Sequence, residues 1–186
     1  MNAPRFARNV LLWLLPAALV WVLITGFYNR FLTIATGNLL HLVESPNVTE
    51  LHPVPGKDRH YIAISRKDIP AGRNALYTVR VTDIHYHLVL MAALFLAVPG
   101  VPLSQRLANL GLACLIALFF HLLLLSFWVQ FAYATQLGSW SAEHYGSLAQ
   151  NVYGLGKHLL DLPFKLALPL VLWVAFYYRK LRPAGA

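Results

Sequence analysis

Val10-Leu11-Leu12-Trp13-Leu14-Leu15-Pro16-Ala17-Ala18-Leu19-Val20-Trp21-Val22-Leu23-Ile24-Thr25-Gly26-Phe27 decides the fold. The stretch carries no charge, and as a helix it measures about 27 Å, close to the hydrocarbon thickness of a bilayer. Arg5 and Arg8 precede it, as in a signal peptide. The run is long for a signal core, and Tyr28, Asn29 and Arg30 follow it in place of a small-residue cleavage site, so it reads as a retained anchor. Three more apolar stretches follow. Tyr86–Val98 is short and stops before Pro99-Gly100-Val101-Pro102. Leu107–Tyr133 is the longest, and Leu162–Tyr178 ends in Arg179, Lys180 and Arg182. The expectation is four transmembrane helices, with Pro16 a candidate kink in the first.

The composition agrees. Hydrophobic residues make up 58% of the 186-residue chain, above the roughly 45–50% of soluble domains, and they come in blocks. The formal charge is +8, but Arg5, Arg8, Arg106, Arg179, Lys180 and Arg182 flank apolar blocks as topology anchors do, and no nucleic-acid motif accompanies them. With four spans these residues share one side, which the positive-inside rule makes the cytoplasm. Both termini are then cytoplasmic. Cys114 is the one cysteine, so the chain has no internal disulfide and no cysteine-based metal cluster.

Three regions follow from this reading. Residues 1–46 form the first helix with an amphipathic extension through Phe31, Ile34 and Leu39, ended by Pro46. Residues 47–84 form a small β-rich extracytoplasmic domain. There Tyr61–Ile64 and Leu76–Thr82 read as the strands of a hairpin turning near Ala71-Gly72, and Tyr77, Val79 and Val81 face one way. A hairpin alone is marginal in water, so it needs the helix, a strand near Val48–Leu51, or another protein. Residues 85–186 hold the other three spans and a polar extracytoplasmic segment at 134–160.

The candidate chemistry is sparse. His121 lies mid-way along the third span, where an ionisable group faces protein or water. It is a candidate axial ligand to haem or chlorophyll, or an interhelical hydrogen-bonding group. If the chain is extended at His85-Tyr86-His87, both imidazoles project to one side. Asp83 lies on that side and His60 can join from the other strand, a set suited to copper or zinc. Asp161 and Lys165 form an i, i+4 pair that suits either a membrane anchor or a transport site. Phe31, Ile34, Leu39, Trp140, Tyr145 and Tyr153 are aromatic and apolar residues at outer rims, where partner interfaces place their anchors. Nucleophile-elbow, phosphate-loop and HExxH motifs are absent.

The order of Leu11–Pro16 in the first span, Gly37-Asn38-Leu39-Leu40-His41-Leu42, the short span Leu88–Val98 closed by Pro99, and Leu168–Trp173 resembles the small exosortase-associated membrane proteins of Gram-negative bacteria. That resemblance implies a non-catalytic companion of a sorting protease. The protease's own cysteine does not carry over, because Cys114 lies inside a span. The expected function is an accessory or scaffold subunit partnered by a larger membrane protein and the lipid bilayer, without nucleic acid. The alternatives are a haem- or chlorophyll-binding subunit using His121, and a small membrane enzyme or transporter using His85, His87 or Lys165.

Overall fold

The computed structural model describes residues 3–54, 60–69 and 77–181 and is mainly helical. Helix α1, Ala3–Val43, runs unbroken for 41 residues, about 60 Å, so the first span and its extension are one rod. Its buried residues are Thr25, Asn29, Leu32, Thr36 and Leu40. Their spacing of three and four residues makes one stripe. Off the stripe the apolar side chains are exposed, Leu23 by 82%, which is costly in water and favourable in lipid.

Three strands follow: β1 (Thr49–Pro53), β2 (Tyr61–Arg66) and β3 (Tyr77–Arg80), in an antiparallel sheet of order β1-β2-β3. The register pairs Leu51 with Ile64 and Ile62 with Val79. Val79 and Val81 are buried while Thr78 and Arg80 are exposed, as the expected alternation requires. The last strand is shorter than expected. Val81 N–H donates to His60 C=O at 2.8 Å; beyond it the partner strand has ended, and the chain turns into helix α2, Thr82–His85. Leu76 and the expected turn at Ala71-Gly72 lie outside the described residues.

Helix α3 is Leu88–Leu96, and α4 is Leu103–Thr135. The segment expected as polar connection is helical: α5 (Ser139–His144), then α6 (Ser147–Leu159), which runs through a π-turn at Leu160–Phe164 into α7 (Lys165–Leu181). Pro163 sits in the π-turn. Proline lacks an N–H and crowds the carbonyl four residues back, and the wider turn relieves both.

Three helices are long and apolar enough to cross a membrane: Ala3–Val43, Leu103–Thr135 and Ser147–Lys180. The expected second span, Tyr86–Val98, falls on the shorter apolar element Thr82–Leu96. Met91, Ala93 and Phe95 are fully buried, so α3 is surrounded by protein and need not match the bilayer in length. The chain is a multi-pass membrane protein.

At one end of the bundle Phe6 stacks on Trp173 with centroids 5.0 Å apart, Asn9 Nδ2 donates to Ala97 C=O at 3.1 Å, and Arg106 donates to Val101 and Leu96 C=O at 2.7 and 2.6 Å. The start of α1, the end of α3, the start of α4 and the end of α7 therefore lie together. About 20 helical residues cross the hydrocarbon. Counted from this end, α1, α4 and α6–α7 reach the far boundary near Asn29, Ser126 and Leu159. From about that level on, Leu125, Val129 and Tyr133 of α4 share one buried core with Ile62, Ile64 and Val79 of the sheet.

Close approach of α6 to α4 depends on Gly156: a Cβ there would overlap the Phe127 ring. Gly156→Ala is expected to destabilise the protein by about 1–3 kcal/mol through overpacking, read as a lower thermal midpoint in detergent. Adding Phe127→Leu should recover part of the loss. An unchanged midpoint in Gly156→Ala would show that the helices separate freely.

Candidate functional site: a buried histidine network

The inward stripe of α1 brings polar groups to α2, α3 and α4 in the half of the bundle nearer the sheet. Trp21 Nε1 donates to His85 Nδ1 at 3.0 Å. Indole is a donor only, so His85 Nδ1 accepts, and the neutral ring carries its proton on Nε2. That Nε2 donates to Asn29 Oδ1 at 2.6 Å. Asn29 Nδ2 in turn donates to Thr82 Oγ1 at 3.1 Å, and Thr82 Oγ1 lies 2.7 Å from His60 Nδ1. One donor-only group thus orients the first part of a chain reaching from the membrane helix to the sheet.

A second chain runs beside it. Tyr28 OH lies 2.7 Å from His121 Nδ1, and His121 Nε2 lies 3.2 Å from His87 Nε2. A neutral histidine pair shares one proton between the facing nitrogens, so the donor direction along Tyr28, His121 and His87 is linked. His87 Nδ1 is buried with no hydrogen-bond partner among the described residues. His87, His121, Ile84, Phe120 and Lys165 border a small cavity, with room for about one water molecule. Lys165 Nζ donates to Asp83 C=O at 2.8 Å and to Asp161 Oδ1 at 2.7 Å, so the expected i, i+4 pair is present and also ties α7 to α2.

His85 and His87 do not project together. The segment is helical, so residues two apart diverge by about 200°: His85 faces α1 and His87 faces α4. Asp83 is exposed, with Arg80 at 3.6 Å, and His60 bonds Thr82. The four residues of the expected metal set are therefore dispersed, and among the described residues no group of three or more His, Cys, Asp or Glu is arranged to hold a metal ion. His121 engages both ring nitrogens within the chain. Cys114 is exposed on the bundle surface.

Of the expected rim anchors, Phe31, Ile34 and Leu39 are exposed. Trp140 and Tyr145 pack on the sheet core, and Tyr153 stands against Phe127 and Tyr145. Arg66 lies over the Trp140 ring at 4.5 Å and bonds Asp68 through Nε and Nη2 at 2.9 and 2.7 Å. This contact holds the Asp68 carboxyl below its usual range, so its contribution to stability is present above the ordinary Asp pKa and fades as the pH falls. Trp21, Tyr28, Asn29 and Thr82 are the network members that sequence reasoning missed. Their signal was the spacing of Thr25, Asn29 and Thr36, polar residues on a single face of an otherwise apolar helix.

Asn29→Leu leaves the His85 Nε2–H buried without a partner, while Thr82 keeps its contact with His60; it should cost about 1–3 kcal/mol. The double variant Asn29→Leu/His85→Leu should cost less than the sum of the two single changes, because it removes both partners. Strict additivity in thermal unfolding would show that the bond contributes nothing.

A model of the exosortase H-associated membrane protein family matches residues 1–180. No curated protein and no solved structure matches the chain.

Proposed function

The chain belongs to the exosortase H-associated membrane proteins, and from that premise we propose that it is a non-catalytic accessory subunit presenting binding surface to a larger membrane protein of a sorting system. The family match over nearly the whole chain carries the reading. Two features of the fold support it. The buried histidines are engaged with one another and with α1, so they tie helices together and do not line an open cleft. Phe31, Ile34 and Leu39 stay exposed on the part of α1 beyond the hydrocarbon, as anchors for a partner do.

The proposed topology has four crossings, the short Thr82–Leu96 element serving as one within a shell of protein or a thinned bilayer. The start of α1 and the end of α7 lie at one end of the bundle with Arg5, Arg8, Arg106, Arg179 and Lys180, which favours the cytoplasm of a bacterial inner membrane for both termini. The sheet then faces outward. A cysteine placed at Gly72 in a Cys114→Ser background should label from outside intact spheroplasts, and one placed at Ser104 should not. The opposite pattern overturns the topology.

Co-expressed with the exosortase H of the same host and extracted in mild detergent, the chain is expected to purify with it as a colourless complex. Phe31→Ser/Ile34→Ser should reduce recovery at least tenfold without changing the thermal midpoint. Absence of a complex overturns the accessory role. A visible absorption band lost in His121→Ala would replace it with the haem or chlorophyll reading.

A further inference from the structure

Among the described residues the sheet ends in an edge that no strand pairs, and the edge borders a groove. Along β2 the hydrogen-bonding alternates. Lys67 N–H donates to Val48 C=O and Val81 N–H to His60 C=O. These bonds set the phase of both ladders: Ser65 and Ala63 bond towards β1, and Ile64 and Ile62 bond towards β3, with Tyr77 and Val79 as their partners. The N–H and C=O groups of Thr78 and Arg80 therefore point away from the sheet. Among the described residues no group bonds either backbone.

A groove of about 360 Å3 is lined by Tyr77, Thr78, Val79 and Arg80 together. Side chains of successive strand residues point to opposite faces, so four in a row border one groove only if it runs along the strand's edge. Tyr86, Trp128 and the Asp161–Lys165 pair line the same groove. The groove starts at the outer boundary of the hydrocarbon and is about four residues, or 13 Å, long.

The charges of the groove are unevenly committed. Lys165 is buried and donates to Asp161 and to Asp83 C=O. Lys157 Nζ lies over the Trp128 ring at 3.8 Å. Arg80 is half-exposed; it approaches Asp83 at 3.6 Å and lies 6.0 Å from the centre of the Tyr61 ring. The groove thus offers a cation at its rim and outward-facing amide groups along one wall.

We propose that this groove is the docking slot for an extended segment of a partner polypeptide, which adds to β3 as a fourth strand through Thr78 and Arg80 and places an acidic side chain against the Arg80 guanidinium. Strand addition of this kind gains its affinity from main-chain hydrogen bonds, and its selectivity from the pockets beside them. A second copy of this chain does not fit as the occupant. Tyr86 and Trp128 line the groove beside the edge, and pairing two copies edge to edge would bring like-charged Arg80 groups to one seam, whereas an acidic segment of a different chain meets Arg80 with opposite charge. The inference rests on the accessory role proposed above and specifies how the partner is held.

The test uses the full chain, alone and in complex with the exosortase H of the same host, in detergent. Hydrogen exchange at the Thr78 and Arg80 amides is expected to slow at least tenfold on complex formation, while the Val79 amide, already paired to β2, changes little. Thr78→Pro removes an outward N–H and leaves the β2 ladder intact. It should weaken the complex at least tenfold, as should Arg80→Glu. A complex that forms without protection of Thr78 and Arg80 overturns the docking slot and leaves the accessory role standing. No complex at all overturns both. Protection already present in the isolated chain, together with a dimeric mass, shows self-pairing and overturns the assignment of the occupant. If Thr78→Pro fails to fold, the exchange measurement on the unaltered protein and the Arg80→Glu variant still decide the matter.

Discussion

A bilayer's hydrocarbon accommodates about 20 helical residues, while α1 has 41 and α4 has 33. The surplus of these rods is the constraint on which the outer half of the molecule depends. Past the membrane boundary the helices must find polar surroundings or apolar partners, and the three-stranded sheet supplies the second. Its Ile62, Ile64 and Val79 close over Leu125, Val129 and Tyr133. Tyr133 OH also donates to Thr49 Oγ1 at 2.7 Å, so the same helix that supports one face of the sheet fixes β1. A small sheet without such a base would be marginal.

Below the sheet the logic inverts. Lipid offers no hydrogen bonds, so each polar group carried into the membrane must be satisfied within the protein. Asn29, His85 and Thr82 satisfy one another, as do Tyr28, His121 and His87 to the extent of one unpaired nitrogen. The cost of exposing such groups to lipid exceeds what any one of the bonds gains, and this asymmetry makes the network specify helix register. The apolar side of α1 faces outward at no penalty. The protein is accordingly inside-out relative to a soluble bundle along this helix, and conventional along α4, where Ala113 and Ala117 permit close approach to α3 and α7.

These two halves account for the division of roles. In the membrane half, His85 bonds Trp21 and Asn29, and His121 bonds Tyr28 and His87, all within the chain. The half beyond it keeps an exposed apolar ridge on α1 and, among the described residues, a strand edge without a partner at the rim of a groove. A member of a family named for its association with an exosortase has its uncommitted surface on the side where the sheet stands.

Much of this was readable from residue order. Eighteen uncharged residues from Val10 to Phe27 require a membrane, because no soluble core accepts such a run without interruption. The alternation at Tyr77, Val79 and Val81 requires a half-buried strand, because side chains alternate across a sheet. Other features depend on contacts distant in sequence. The span expected at Tyr86–Val98 became a short helix because its neighbours bury it, and burial by protein removes the length requirement that lipid imposes. The polar stretch 134–160 became helix because α4 continues beyond the bilayer and offers Phe127 and Phe131 to Gly156 and Gly154. His85 and His87 separated because the chain there is coiled, turning each successive side chain by about 100°. His121 met Tyr28 and His87 across 93 and 34 residues of sequence. Local composition determines which segments enter lipid and which alternate in a strand; which polar groups then meet inside is decided by helix rotation and register, and only the tertiary structure sets those.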